Sequence, residues 1–145
     1  MRVFLDTSAL VKRYVDEPGS DTIAAVLAEA DRLIVSALTL PECVSAFRRL
    51  AREGHVTSEQ YERLKAIVLL DLSDAVVCHV VPEVIDLAID CLEQYPLRTL
   101  DAMQLAGARA VKPDLFVTSD RRQAHAARSE GLEVVEVPSR GSSHK

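Results

Sequence analysis

Cysteine is scarce in this chain and follows no pairing pattern. The three present, Cys43, Cys78 and Cys91, are odd in number, and none falls in a C-x-x-C pair. Each lies in an apolar stretch, so they read as small buried hydrophobes of a reducing compartment rather than a disulfide framework. A zinc site needs closer spacing or neighbouring histidines, and both are missing. The four histidines form no set: His55 reads as turn, His79 as strand, His125 as helix and His144 as tail. None is assigned to catalysis. No apolar run is long enough to cross a membrane. An acid at position 6 interrupts the N-terminus before an export signal can form, so a cytoplasmic location is expected. Basic excess is lacking too, with 17 Lys and Arg against 22 Asp and Glu. That balance argues against a general nucleic-acid coat. It leaves room for an enzyme that acts on nucleic acid through a local acidic metal site with basic patches around it.

What is present is one domain's worth of alternating pattern. A chain of 145 residues buries about two-thirds of its unfolded surface and needs no disulfide staples. Short Val/Leu-rich runs at 2–5, 32–36, 76–81, 115–118 and 132–137 read as strands. Helical periods are expected over 8–15, 21–30, 40–53, 58–72, 82–94, 100–111 and 121–129. Ser20 and Thr57 or Ser58 are the expected caps, Glu17-Pro18-Gly19 a turn, and Pro82 a helix start. Short apolar strands alternating with helices indicate an α/β fold: a doubly wound parallel sheet of about five strands with helices on both faces. The domain is expected to span 1–138, followed by a disordered polar tail, 139–145. Ligands of such sheets bind beyond the carboxyl ends of the strands.

Four acids fall at that edge. Asp6 ends the first strand and Asp120 the fourth. Glu42 and Asp101 sit in the first turns of helices. Each has a plain structural reading. Acids suit helix N-termini, Thr39–Glu42 fits a capping box, Asp120-Arg-Arg-Gln123 resembles one, Asp101 can follow a Thr99 cap, and Asp6 can cap the first helix. Together the acids ask for more. Two carboxylates at ~4 Å repel by about 4 kcal/mol at an effective dielectric of 20. A divalent cation best explains such a cluster, and oxygen-only ligands select a hard ion, Mg²⁺ or Mn²⁺. Such sites activate water for in-line phosphoryl displacement.

Basic residues lie nearby. Ser45, Arg49 and Arg52 share the Glu42 stripe of their helix, opposite an expected buried stripe of Leu40, Val44, Phe47 and Ala51. Arg49 lies about 10.5 Å along the axis from Glu42, a distance that suits a neighbouring phosphate. Arg121 and Arg122 follow Asp120 directly, and Lys12 and Arg13 are similar candidates on the first helix. The plain reading of these cations is a solvated helix face. Tyr14, Tyr61 and Tyr95 read as packing residues rather than base-stacking platforms.

DTSALV at the N-terminus, Glu42 in its helix, LRTLDAMQLA and VTSDRR resemble the four acidic landmarks of PIN-domain ribonucleases, in order and over nearly the whole chain. The length makes it look like a VapC-type toxin of a toxin–antitoxin pair. The resemblance implies endoribonuclease activity on an RNA substrate, with Asp6, Glu42, Asp101 and Asp120 as the Mg²⁺ or Mn²⁺ site. Ser8 and Thr118 match the hydroxyls that orient its ligands. It also implies a cognate antitoxin, whose segment occupies a groove on the apolar helices, and a homodimer. Pro41 before Glu42 is a departure that affects how that helix begins. Two rivals remain: an inactive PIN-like binding module, and an aspartyl-phosphate phosphohydrolase with Asp6 as nucleophile. The second usually places another acid two residues on, where this chain has Ser8.

Overall fold

A computed structural model describes residues 1–139. Five strands form one sheet: β1 (Arg2–Leu5), β2 (Arg32–Ser36), β3 (Val76–Cys78), β4 (Leu115–Thr118) and β5 (Val134–Glu136). Their spatial order is β3-β2-β1-β4-β5, and every pairing is parallel. Seven α-helices connect them: α1 (Thr7–Leu10), α2 (Ser20–Glu29), α3 (Thr39–Arg52), α4 (Ser58–Ser73), α5 (Pro82–Gln94), α6 (Thr99–Val111) and α7 (Arg121–Ser129).

The period of two along the strands builds two cores. Val3, Leu5, Val35 and Val117 pack with Ile23, Cys43, Phe47, Tyr61 and Val68 of α2, α3 and α4. Phe4, Ile34 and Phe116 point the other way, onto Val84, Ala88, Ala102, Leu105 and Ala126 of α5, α6 and α7. Helices before β3 therefore cover one face and those after it the other, as right-handed crossovers require when the chain reverses direction across the sheet. The reversal lies between β1 and β4, which is the binding crevice of a doubly wound sheet. All three cysteines are buried and free. No helix among the described residues is long and apolar enough to cross a membrane.

Several local expectations change. The helix expected over 8–15 is a single turn, α1, followed by a 3-10 turn, Val11–Arg13. The third strand stops at Cys78 because Val81 must serve as N-cap to α5, whose Pro82 occupies the first turn. The fifth strand pairs over only three residues, since β4 is itself short. Thr57 caps α4 in a reciprocal capping box with Gln60. The box expected at Thr39–Glu42 does not form: Leu38 is the N-cap, and Thr39 is already helical and buried. Arg98, not Thr99, caps α6, and Gly19, not Ser20, caps α2. On α3 the buried line is Thr39, Cys43 and Phe47, with Leu40, Leu50 and Ala51 half-buried beside it. The expected tail lies outside the described residues beyond Ser139.

Gly19 is required where it stands. Its φ is +96°, and a Cβ there would meet the Pro138 carbonyl at 2.9 Å and Lys12 Cδ at 3.1 Å. Gly19→Ala is expected to lower unfolding free energy by about 1–3 kcal/mol, measurable by urea titration. An unchanged midpoint would contradict this reading of the turn.

Candidate metal centre

The apolar strand β1 runs directly into a carboxylate, Asp6, the N-cap of α1. Asp6 stands at the carboxyl end of β1, 2 % exposed. Its Oδ1 accepts from the Ala9 backbone N–H at 2.9 Å, capping α1, and from Ser8 Oγ at 2.8 Å. Thr118 Oγ1, at the end of β4, donates to Oδ2 at 2.6 Å. Thr118 in turn accepts from the Asp120 N–H at 3.0 Å, and Ser8 Oγ accepts from the Ser119 N–H at 3.1 Å. Two hydroxyls thus stitch the ends of the two strands around one carboxylate. Burial pushes the Asp6 carboxyl up to about 6; bonds from Thr118, Ser8 and Ala9 pull against this, and the Asp101 charge adds to the rise.

The other acids reach the same place from three helices. Asp120 caps α7, its Oδ1 accepting from the N–H groups of Arg122 at 2.8 Å and Gln123 at 3.1 Å. Asp101 lies in the first turn of α6, its Oδ2 3.3 Å from Arg98 Nε. Arg98 is mostly exposed, and such a pair is worth about 0–1 kcal/mol. Glu42 lies in the first turn of α3, where Oε1 accepts from Thr7 Oγ1 and from Gln104 Nε2, each at 2.8 Å. All four acids line one cavity of about 710 Å³, together with Thr7, Ser8, Ser45, Arg49, Arg98 and Gln104. A second cavity of about 730 Å³ shares Arg98, Asp101 and Asp120 with it and adds Arg121 and Arg122.

The donor set fits a hard divalent cation: four carboxylates, hydroxyls and no sulfur or imidazole. No three acids among the described residues converge into a finished cage. Each does keep capacity: Glu42 Oε2, Asp101 Oδ1 and Asp120 Oδ2 accept no hydrogen bond from the described residues, and Asp6 Oδ2 accepts one. Mg²⁺ retains several waters and commonly takes only one or two carboxylates directly, so a looser ring suits it. The phosphohydrolase alternative fits less well, because Ser8, a hydroxyl bonded to Asp6, stands where a second acid is needed.

Two basic candidates are corrected. Lys12 is buried, its Nζ 3.1 Å from Glu17 Oε1 and 2.8 Å from the Pro18 carbonyl, so it holds the turn after α1 instead of meeting RNA. Arg13 pairs with Asp71 at 2.9 Å, and neither residue lines the acidic cavities. The tyrosines are engaged as packing residues: Tyr14 bonds Asp71 and meets the Phe47 ring edge-on, Arg48 sits over Tyr61, and Tyr95 bonds Glu130. Sequence alone does not single out Thr7, Arg98 or Gln104, and offers Gln123 only as a capping-box partner of Asp120. Gln123 Nε2 donates to the Asp101 carbonyl at 3.0 Å and so ties α7 to α6. For the other three, only the i, i+3 spacing of Arg98 and Asp101, and Thr7 next to Asp6, offered any signal.

Comparisons with known proteins identify the family. Residues 3–129 match the PIN domain family model. The chain is 36 % identical over 135 residues to Ribonuclease VapC46 of Mycobacterium tuberculosis, covering 92 % of this chain and 95 % of that protein. Its fold superposes with a TM-score of 0.67 on Mycobacterium tuberculosis VapC20, a toxin that cleaves the sarcin–ricin loop, at 20 % identity over 94 % of this chain and 99 % of that one. The same TM-score of 0.67 relates it to a toxin–antitoxin complex from Klebsiella pneumoniae, at 16 % identity over 92 % and 95 % of the two chains. A matching family model over most of the chain, a VapC relative over nearly all of it, and the acids assembled at the β1–β4 crevice lead to one conclusion: the chain belongs to the PIN domain family, in its VapC branch.

Proposed function

We propose that this protein is a Mg²⁺- or Mn²⁺-dependent endoribonuclease that hydrolyses RNA phosphodiesters, a growth-inhibiting toxin neutralised by a cognate antitoxin. The observation that carries the reading is Asp6. A carboxylate is held buried at the crevice by three donors, and the three other acids of the family pattern line the same cavity. Asp6, Asp101, Asp120 and Glu42 would hold the ion. When bound, it supplies Lewis acidity and a lowered water pKa. Ser8 and Thr118 fix the Asp6 carboxylate, as outer partners of ligands do. Glu42 Oε2 is the atom that remains to bind the ion or to orient the attacking water.

Arg49, which lines the cavity of the four acids, and Arg121 and Arg122, which line the adjoining one, would meet phosphates flanking the cut. Such contacts add affinity with little sequence choice. Arg49→Ala and Arg121→Ala are each expected to raise KM about 3–10-fold with kcat within about twofold, and to flatten the salt dependence of binding. A fall in kcat at unchanged KM would contradict that role. Apolar side chains exposed on α4 (Ile67, Leu69, Leu70) and α5 (Ile85, Ile89, Leu92) offer surface for the antitoxin and for a second copy. Relationship to a toxin–antitoxin complex supports the antitoxin as partner. The reading is tested by incubating labelled RNAs, single-stranded and structured, with the antitoxin-free protein. Cleavage in Mg²⁺ or Mn²⁺ that stops in EDTA is expected. Cleavage that persists in EDTA, or none on any RNA class, would overturn it and favour the binding module.

A further inference from the structure

Resting on the metal-site reading above, we propose that Gln104 is a positioning residue that sets the Glu42 carboxylate for the ion. Gln104 is 2 % exposed and lies one turn after Asp101 on α6. Its Nε2 faces three acceptors at once: Glu42 Oε1 at 2.8 Å, Thr7 Oγ1 at 3.1 Å and Thr39 Oγ1 at 3.1 Å. One amide therefore links α6, which carries Asp101, to α3, which carries Glu42, and to the residue next to Asp6.

The arrangement serves the carboxylate at the expense of the amide. Gln104 Oε1 is buried and has no hydrogen-bond partner among the described residues. Turning the amide over would set that oxygen against Glu42 Oε1, so the carboxylate dictates its orientation. A residue kept only to fill this space would be better apolar, since burying an unpaired acceptor is costly. Thr7 Oγ1 adds a second donor to the same Glu42 Oε1. With Oε1 occupied twice, Oε2 is the oxygen presented to the cavity.

Gln104→Met keeps the length of the side chain and removes both polar atoms. The test measures Mn²⁺ affinity by calorimetry and the urea midpoint in EDTA for wild type, Gln104→Met, Glu42→Ala and the double variant. We expect Gln104→Met to bind Mn²⁺ about 10-fold more weakly, the cooperative transition in EDTA showing that the variant is folded. In the Glu42→Ala background it should change affinity less than about twofold. Unchanged affinity in Gln104→Met, or an equal loss with and without Glu42, would overturn the inference. A spectroscopic readout needs no substitution at Gln104. Its side-chain NH₂ resonances should shift on Mg²⁺ addition to the wild type and stay in place in Glu42→Ala; no shift in a wild type that binds Mg²⁺ would overturn it too. A wild type that takes up no Mn²⁺ would remove the metal-site reading itself, and this inference with it.

Discussion

Replacing Asp6 by Asn is expected to lower RNA cleavage about 10³-fold or more while leaving the fold intact. The substitution keeps the shape and an oxygen for the Ala9 N–H, so the start of α1 survives. It removes the charge that sits deepest in the crevice, where a cation is least shielded by water. Thr118 donates to Oδ2, the oxygen an amide nitrogen would replace, yet its hydroxyl can turn and accept instead. Circular dichroism and the urea midpoint would check the fold beside the cleavage assay. Retained cleavage in a folded Asp6→Asn would remove Asp6 from the centre of the mechanism.

The second large effect is on stability against pH. The Asp6 carboxyl is raised from its ordinary 3.8 to about 6, chiefly by burial. Below 3.8 the group is protonated in both the folded and the unfolded chain. Between 3.8 and about 6 the unfolded chain releases the proton first, so the folded state binds more protons and stability falls as pH rises. Above about 6 the contribution is flat. That span corresponds to about 3 kcal/mol. In EDTA, the stability of the wild type relative to Asp6→Asn should therefore decline by about that amount from pH 4 to 7. Mn²⁺ at about 100 times its Kd should return about 2.7 kcal/mol at neutral pH, and this gain should shrink as acid returns the proton to Asp6. Urea titrations across pH 4–8 measure both effects. Parallel pH profiles for the two proteins would contradict the buried-charge account.

Much of the fold was legible because apolar alternation reports burial directly. Val3 and Leu5 against Phe4 already encode two faces, and the recurring helical periods place the crossovers. Lengths of elements that end against something else were less legible. The third strand reads too long because VVCHVV is apolar but for His79, while Val81 is needed as a cap. The acids were legible through their positions at strand ends and helix starts. Their supports were not. Gln104 and Gln123 look like surface residues of a helix in any hydropathy pattern, and only the packed structure buries them. Lys12 fails in the opposite sense. A lysine near the strand that carries Asp6 reads as a phosphate ligand, but the Glu17–Pro18 turn folds back and takes it.

The most direct test of the account is a crystal grown with Mn²⁺ and measured at a wavelength where manganese scatters anomalously. The account predicts a peak in the crevice between β1 and β4, with an Asp6 oxygen at about 2.1 Å and the remaining contacts drawn from Asp101, Asp120, Glu42 and water. A manganese peak elsewhere on the chain, with the four carboxylates left in their hydrogen bonds, would contradict it.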